Sequence, residues 1–456
     1  MSDLRIAIIG AGSLVWSATL IHDLCLTPDL HGSTIVFMDI NKERLDIVYN
    51  FARRYASEVK ANLSFEKTLN REEAIRDSDF VINTAMAKGH YYYESMREAS
   101  EKCGYYRGIN STEWNMVSDY HTIWGYYQFK LALDVARDVE DHSRNAWLIQ
   151  LSNPVFELTT LISRKTKAKV IGVCHGHLGY KDIVKVLGIN EKEVEAESVG
   201  VNHVIWLTKF TYRGEDAYPL LDEWIEKEAE KYWERWYWEQ TNPFDVHMSP
   251  AAVDMYRRYG LFPVGDTVRG GTWKYHWDLE TKKRWYGPMG GPDSEIGWMM
   301  YLKYNEIRMN ALKEALIKGT GLRYFFPEGR SGEPVIPIVE SLACDKPGVH
   351  QVNVPNKGLL EGLPSDVAVE VPATLDGKGV HGLGTKRLPA RILNLVMQPR
   401  VMRMEWALEA FLEGGRDVLF DWLMLDPRTR STEQAEKAID AVLSLPGNEE
   451  MARHFR

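Results

Sequence analysis

Uninterrupted apolar runs and helix-patterned stretches alternate through the first 200 residues of the chain. LRIAIIG (4–10) is apolar throughout and ends in glycine, the pattern of a strand buried on both faces. STIVFMDI (33–40), DFVINTA (79–85), NAWLIQLSNP (145–154) and AKVIGVC (168–174) repeat that pattern. Helical patterns lie between them at 15–26, 41–60 and 119–140. Strand and helix in alternation predict an α/β fold, a doubly wound parallel sheet with helices on both faces.

Beyond residue 200 the texture changes. ESVGVNHVIWLTKF (197–210) reads as one further strand with Asn202 and His203 in its middle. Residues 221–240 form a charged, aromatic-rich helical pattern, and 296–320 another helix. Residues 334–390 are rich in Val, Pro and Gly and read as strands and loops, while 391–424 and 432–445 are helical. No internal repeat and no low-complexity linker separates the halves. The expected organisation is a Rossmann-like domain over 1–200 with a mixed α+β domain over 201–456 packed on it.

Composition narrows the function. The chain has 456 residues, 45% hydrophobic and 26% charged, an ordinary globular balance able to bury a large core. A net charge of −9 offers no basic surface for nucleic acid or an anionic membrane. No apolar run is long enough to span a bilayer. The opening MSDLRIAIIGAG runs directly into a strand without the features of a signal peptide, so a cytoplasmic location with reduced thiols is expected. The four cysteines, Cys25, Cys103, Cys174 and Cys344, form neither a disulfide framework nor a CxxC knuckle. The 15 Trp and 22 Tyr suit a core and an oligomer interface, and a homodimer or homotetramer is expected.

Candidate chemistry clusters at strand ends. Gly10-Ala11-Gly12-Ser13 follows the first strand and opens a helix, where glycines let the backbone approach a pyrophosphate seated on the helix N-terminus. Val15 stands where the usual fingerprint has its third glycine. Asp39 closes the second strand; an acid there accepts from an adenosine ribose and repels a 2′-phosphate, which favours NAD over NADP. The third strand ends in Asn83-Thr84-Ala85 and the fourth in Ser152-Asn153-Pro154, at the carboxyl ends where such sheets place ligands.

The fifth strand ends in Cys174-His175-Gly176-His177. On chemistry alone three readings stay open: a metal pair of Cys174 with His203, a Cys–His nucleophilic dyad, or a buried thiol beside a core histidine. YRRYGLFPVGDTVRGG (256–271) adds Tyr259, Asp266 and Arg269 in a glycine-rich loop that a ligand can approach.

Taken together, these residues resemble glycoside hydrolase family 4, the NAD- and metal-dependent glycosidases that depart from two-carboxylate hydrolysis. The resemblance rests on the GAGS loop, Asn153-Pro154, Cys174-His175, Asn202-His203, the segment 259–263 and VNVPNKGLLEGLPSDVAVEVPATLDGKGV (352–380), and it spans almost the whole chain. It implies a fold similar to lactate and malate dehydrogenases, and it implies NAD and Mn2+ or another divalent transition metal as cofactors. The implied chemistry oxidises the sugar at C3, removes the C2 proton, expels the glycosidic oxygen, adds water and returns the hydride.

By this resemblance Gly10, Ala11, Gly12, Ser13, Asp39 and Asn83 would hold NAD, and Cys174 and His203 the metal. Asp119, Asn153 and Asn202 would bind the sugar, and His175 would protonate the leaving group. Asp266 would be the base, with Tyr259 as runner-up. The CHGH string resembles the members acting on α-glucuronides, with His177 and Arg269 holding a C6 carboxylate. An α-glucosidase or α-galacturonidase would work by the same chemistry. A 2-hydroxy-acid dehydrogenase and a non-catalytic NAD- or sugar-binding protein are the competing classes.

Overall fold

The structure, a computed structural model, describes residues 3–106, 125–270, 273–385 and 387–456. Asp119 and the start of the helix expected over 119–140 lie outside the described residues. The strands are β1 (Arg5–Ile9), β2 (Thr34–Met38), β3 (Ser64–Thr68), β4 (Phe80–Asn83), β5 (Trp147–Gln150), β6 (Lys169–Gly172), β7 (Val194–Val201), β8 (Val204–Tyr212), β9 (Glu215–Asp216), β10 (Phe262–Val264), β11 (Gly348–Pro355), β12 (Ala368–Asp376) and β13 (Gly379–Gly382).

Six of them run parallel in the order β3-β2-β1-β4-β5-β6, the doubly wound order of dinucleotide-binding sheets. Alternate residues of β1, β2 and β4 enter two different apolar cores. Ala7, Ile9, Val36 and Val81 face one, and Ile6, Ile8, Ile35, Phe37 and Ile82 the other. Both faces are therefore dry, which is why these strands read as unbroken apolar runs. β3, whose SFEKT pattern is largely exposed, is the sheet edge and escaped the sequence reading for that reason.

The sheet does not end at β6. It continues through β11, β12, β7, β8 and β10, all antiparallel. Two of these junctions are single residue pairs, Gly172↔Asn353 between β6 and β11, and Gly200↔Glu370 between β7 and β12. This seam matters below. Residue 200, the expected junction between the halves, lies within β7, whose partners are β8 and β12.

Other expectations shift in instructive ways. The run 197–210 is not one strand but the β7–β8 hairpin, with Asn202-His203 as its two-residue turn and His203 at φ +64°. Apolar residues fill both arms, so hydropathy alone cannot see the reversal. The pattern 221–240 is two helices, Tyr218–Lys227 and Ala229–Glu239, whose Trp224 and Trp236 pack inward. The segment 334–390 opens with a helix, Val335–Ala343, before its strands. No helix among the described residues is long and apolar enough to cross a membrane.

Candidate active site

The glycine loop is built by backbone constraint. Gly10 and Ala11 N–H groups both donate to the Met38 carbonyl at 2.9 Å, fastening the turn after β1 to the end of β2. Gly10 has φ +82°, and a Cβ there would lie 2.5 Å from the Ala85 Cα, so only glycine fits between the β1 and β4 turns. Gly12 donates its N–H to Asp39 Oδ2 at 2.8 Å, while Asn41 N–H donates to Oδ1 at 2.8 Å. The helix Leu14–Cys25 follows, and the Ser13 side chain before it makes no capping bond. The loop thus presents a helix N-terminus, Gly10 to Ser13, with the Asp39 carboxylate beside it.

Asn83 plays a different part. It is fully buried, its amide donates to Gln150 Oε1 at 2.9 Å and its carbonyl oxygen accepts from Ala85 N–H at 3.2 Å. The side chain shapes the turn after β4 instead of reaching toward a ligand. Gln128, which sequence reasoning missed, ties that turn to the next: it accepts from Ala87 N–H at 2.8 Å and donates to the Ala85 carbonyl and Ser152 Oγ. One residue on, Asn153 holds a buried Oδ1 with no hydrogen-bond partner. The Asn153–Pro154 peptide is cis.

Two loops from opposite halves of the chain meet backbone to backbone. The turn Gly176–Gly179, after β6, packs on the turn Gly265–Arg269, after β10. A Cβ on Gly265, at φ +59°, would lie 2.6 Å from both the Cα and the O of Gly176, and one on Gly179 would lie 2.6 Å from Gly265 N. Thr267 Oγ1 accepts the Ile205 N–H at 2.7 Å, anchoring the second turn to β8 beside the Asn202-His203 corner. These contacts bring Cys174, His175, His203 and Asp266 into one cluster.

Its electrostatics are strongly organised. His203 Nε2 lies 3.1 Å from Asp266 Oδ2, and burial lowers this imidazole to about 4, so it is neutral near pH 7. Burial pushes the Asp266 carboxyl up, but the Arg269 guanidinium and His203 outweigh it and hold the group well below the usual carboxylate range. Arg269 itself is buried between Asp266 and Asp293, 2.6 Å from Asp293 Oδ1. Both acids therefore already engage the Arg269 guanidinium. Burial, then Glu370 and Asp266, raise the Cys174 thiol to about 12.

His175 is half exposed, its ring stacked on Trp16 with centroids 6.1 Å apart and planes at 19°. Its Nδ1 lies 3.3 Å from Glu333 Oε2, and this bond raises the imidazole above its ordinary range against the pull of burial. Glu333 arrives from the C-terminal half on a loop buckled to the first helix: Ser331 donates N–H and Oγ–H to the two Asp23 carboxylate oxygens at 2.7 and 2.6 Å. His177 is lowered to about 4 by burial, with Nδ1 buried and unpartnered, so it meets a carboxylate as a neutral ring. Tyr259 packs edge-on to Trp206 in the apolar core, and its charged neighbours are Arg258, Arg391 and Asp254 rather than the Asp266 cluster.

Sequence reasoning missed Glu333, Trp16, Gln128, Asn353 and Glu370. Only Glu370 carries a local sign, a lone carboxylate inside the apolar strand run VAVEVPA. Among the described residues, no group of three or more His, Cys, Asp or Glu side chains forms a ready metal cage. Cys174 and His203 would supply two protein donors, one soft and one borderline.

Residues 5–189 match the family described as Family 4 glycosyl hydrolase, and residues 198–429 its C-terminal domain. An α-galacturonidase of Lachnoclostridium phytofermentans is 25% identical over 97% of this chain and 96% of its own. An α-galactosidase of Bacillus subtilis is 24% identical over 97% and 96%. Among solved structures, lplD of Bacillus subtilis superposes with a TM-score of 0.81 at 23% identity, covering 97% of this chain and 100% of that one. A 6-phospho-α-glucosidase from gut microorganisms, in complex with NAD and Mn2+, gives 0.76 at 19%, covering 97% and 98%.

Proposed function

The chain belongs to glycosyl hydrolase family 4, and from that premise we propose that it cleaves α-glycosides, α-linked hexuronides foremost, with bound NAD and a divalent metal. The observation that carries the reading is the Cys174, His175, His203 and Asp266 cluster beside a glycine loop at the carboxyl ends of parallel strands. α-Glucuronide is the first substrate; α-galacturonide stands beside it because relatives bear that name.

The residues fit both groups. A Cβ on Gly10 or Gly12 would strike Ala85 or Asp39, so glycine lets the loop pack closely on both and leaves bare backbone at a helix N-terminus, as a pyrophosphate needs. A neutral His203 and a thiol suit a divalent transition cation, whose binding would release the Cys174 proton. When bound, nicotinamide supplies reversible hydride transfer and the cation polarises the sugar oxygens.

The chain's own residues then move protons. Asp266, kept ionised by Arg269, accepts the C2 proton. His175 donates to the glycosidic oxygen: with Nδ1 engaged by Glu333, Nε2 is the atom that carries the transferable proton. Asn153 Oδ1 receives a sugar hydroxyl. Tyr259 is assigned to packing and Arg269 to positioning Asp266.

A panel of p-nitrophenyl α-glycosides, with NAD+, Mn2+ and a reductant, tests the reading. Cleavage of a uronide is expected to disappear when NAD and metal are stripped and to return when both are restored, with no net NADH. Unchanged cleavage after stripping would defeat it. Stoichiometric NADH from a 2-hydroxy acid would favour the dehydrogenase class instead.

Glu333→Gln probes the proton donor. Glu333 holds the His175 imidazole up, so its loss lets the ring give up its proton at lower pH. The alkaline limb of kcat should move to lower pH, with about a tenfold loss on its falling side. A pH–rate profile superimposable on that of the unaltered enzyme would remove Glu333 from this role.

A further inference from the structure

The segment 352–380 contributes nothing to the chemistry above, yet its strands carry a polar cluster under the site. At the seam of the sheet, Asn353 faces Gly172 and Glu370 faces Gly200. Each glycine stands two residues before a site residue, Cys174 in one case and Asn202 in the other. A Cβ on Gly172 would lie 2.8 Å from the Asn353 Cβ, so the missing side chain is what lets β11 approach β6 here.

Glu370 is 1% exposed, and a carboxyl so placed is costly unless its partners compensate. Its Oε2 accepts from Asn202 Nδ2 at 2.9 Å and from Asn353 Nδ2 at 3.4 Å, with Gln351 a further neighbour. Its Oε1 and the Asn353 Oδ1 are buried with no hydrogen bond of their own. Asn202 is the link outward, because the same side chain also neighbours the Cys174 thiol. An amide has a donor end and an acceptor end that exchange by a flip. With its nitrogen tethered to Glu370, Asn202 cannot flip, and the Cys174 sulfur meets an N–H instead of a carbonyl oxygen.

We propose that Glu370 is a positioning residue that locks the Asn202 amide and thereby holds the Cys174 sulfur in the orientation in which it takes a divalent cation. This rests on the reading of Cys174 and His203 as the cation's ligands. Glu370 touches neither sugar nor cofactor; it acts through Asn202. The carboxyl also explains why the second half of the chain sends two strands back beneath the first: they deliver the support for a ligand that the parallel sheet presents.

The test is Mn2+ binding to the full-length protein, read from the electron paramagnetic resonance of free Mn2+ without sugar or turnover, with NAD affinity and thermal unfolding measured on the same samples. Glu370→Leu should weaken Mn2+ binding about 10- to 100-fold, while Glu370→Gln, whose amide oxygen still accepts from Asn202, should stay within about threefold of the unaltered protein. Asn202→Leu should reproduce the Glu370→Leu loss, and the double variant should lose no more than either single one, because both act on one path. Additive losses, or Mn2+ binding unaffected by Glu370→Leu, overturn the proposal. Should Glu370→Leu fail to fold, unaffected binding in Asn202→Leu overturns it equally. Cys174→Ala separates the two levels: if it too binds Mn2+ normally, the ligand reading itself has failed, whereas a Cys174→Ala loss beside an intact Glu370→Leu indicts only the positioning role.

Discussion

Asp266→Asn is expected to lower kcat/KM about 10³-fold while NAD affinity stays as it was, within the range that a positioned general base contributes. The reason lies in what surrounds the carboxylate. Arg269 keeps it charged, so a proton acceptor is present, and the amide that replaces it cannot take up a proton. The change also leaves Arg269 with one of its two acidic partners, Asp293, so the loop loses part of its clamp. Steady-state kinetics on the uronide, together with deuterium uptake at C2 of the product in heavy water, checks this. A variant that exchanges and hydrolyses at the original rate would place the base elsewhere. Tyr259→Phe is the companion measurement and should run close to the original rate, since that ring packs on Trp206.

The second large effect is at Gly265. Gly265→Ala puts a Cβ 2.6 Å from main-chain atoms of Gly176 that have nowhere to go, at a left-handed φ of +59°. The backbone strain costs about 1–2 kcal/mol and the overpacking about 1–3 kcal/mol. The activity loss should be larger in proportion, about 10²-fold, because a shift of roughly 1 Å between the two turns misplaces Asp266 against Cys174 and His175. Gly260→Ala is the control. It has φ +80° but nothing within 4 Å of its Cβ position, so it carries the strain without the collision. If both variants melt and turn over alike, the contact is not what sets the geometry.

The parallel half of the fold was legible because its strands are dry on both faces, which writes an apolar run that nothing else imitates. The antiparallel half was not. β7 and β8 merge in the sequence because the turn between them, Asn202-His203, lacks the glycine that usually marks a two-residue reversal, and its left-handed residue is a histidine. The positions of Asn153 and Cys174 just past strand ends were legible for the same reason as the strands. Glu333 and Glu370 were not, since each meets its partner across more than 150 residues of chain. The resemblance assigns Arg269 to a substrate carboxylate, a role that no neighbour in the sequence contradicts. Only the fold reveals that Asp266 and Asp293 already hold it.

The backbone contact between Gly176 and Gly265 has a consequence for how such a chain can diverge. The turns that carry His175 and Asp266 meet here through main chain, and a Cβ on Gly265 would strike Gly176. Neighbours in the same turn, His177 and Leu178, are outside that constraint. Drift in a duplicated copy would therefore alter which sugar is held while the spacing of acid and base stays fixed, and new specificities would arise without the chemistry having to be reinvented.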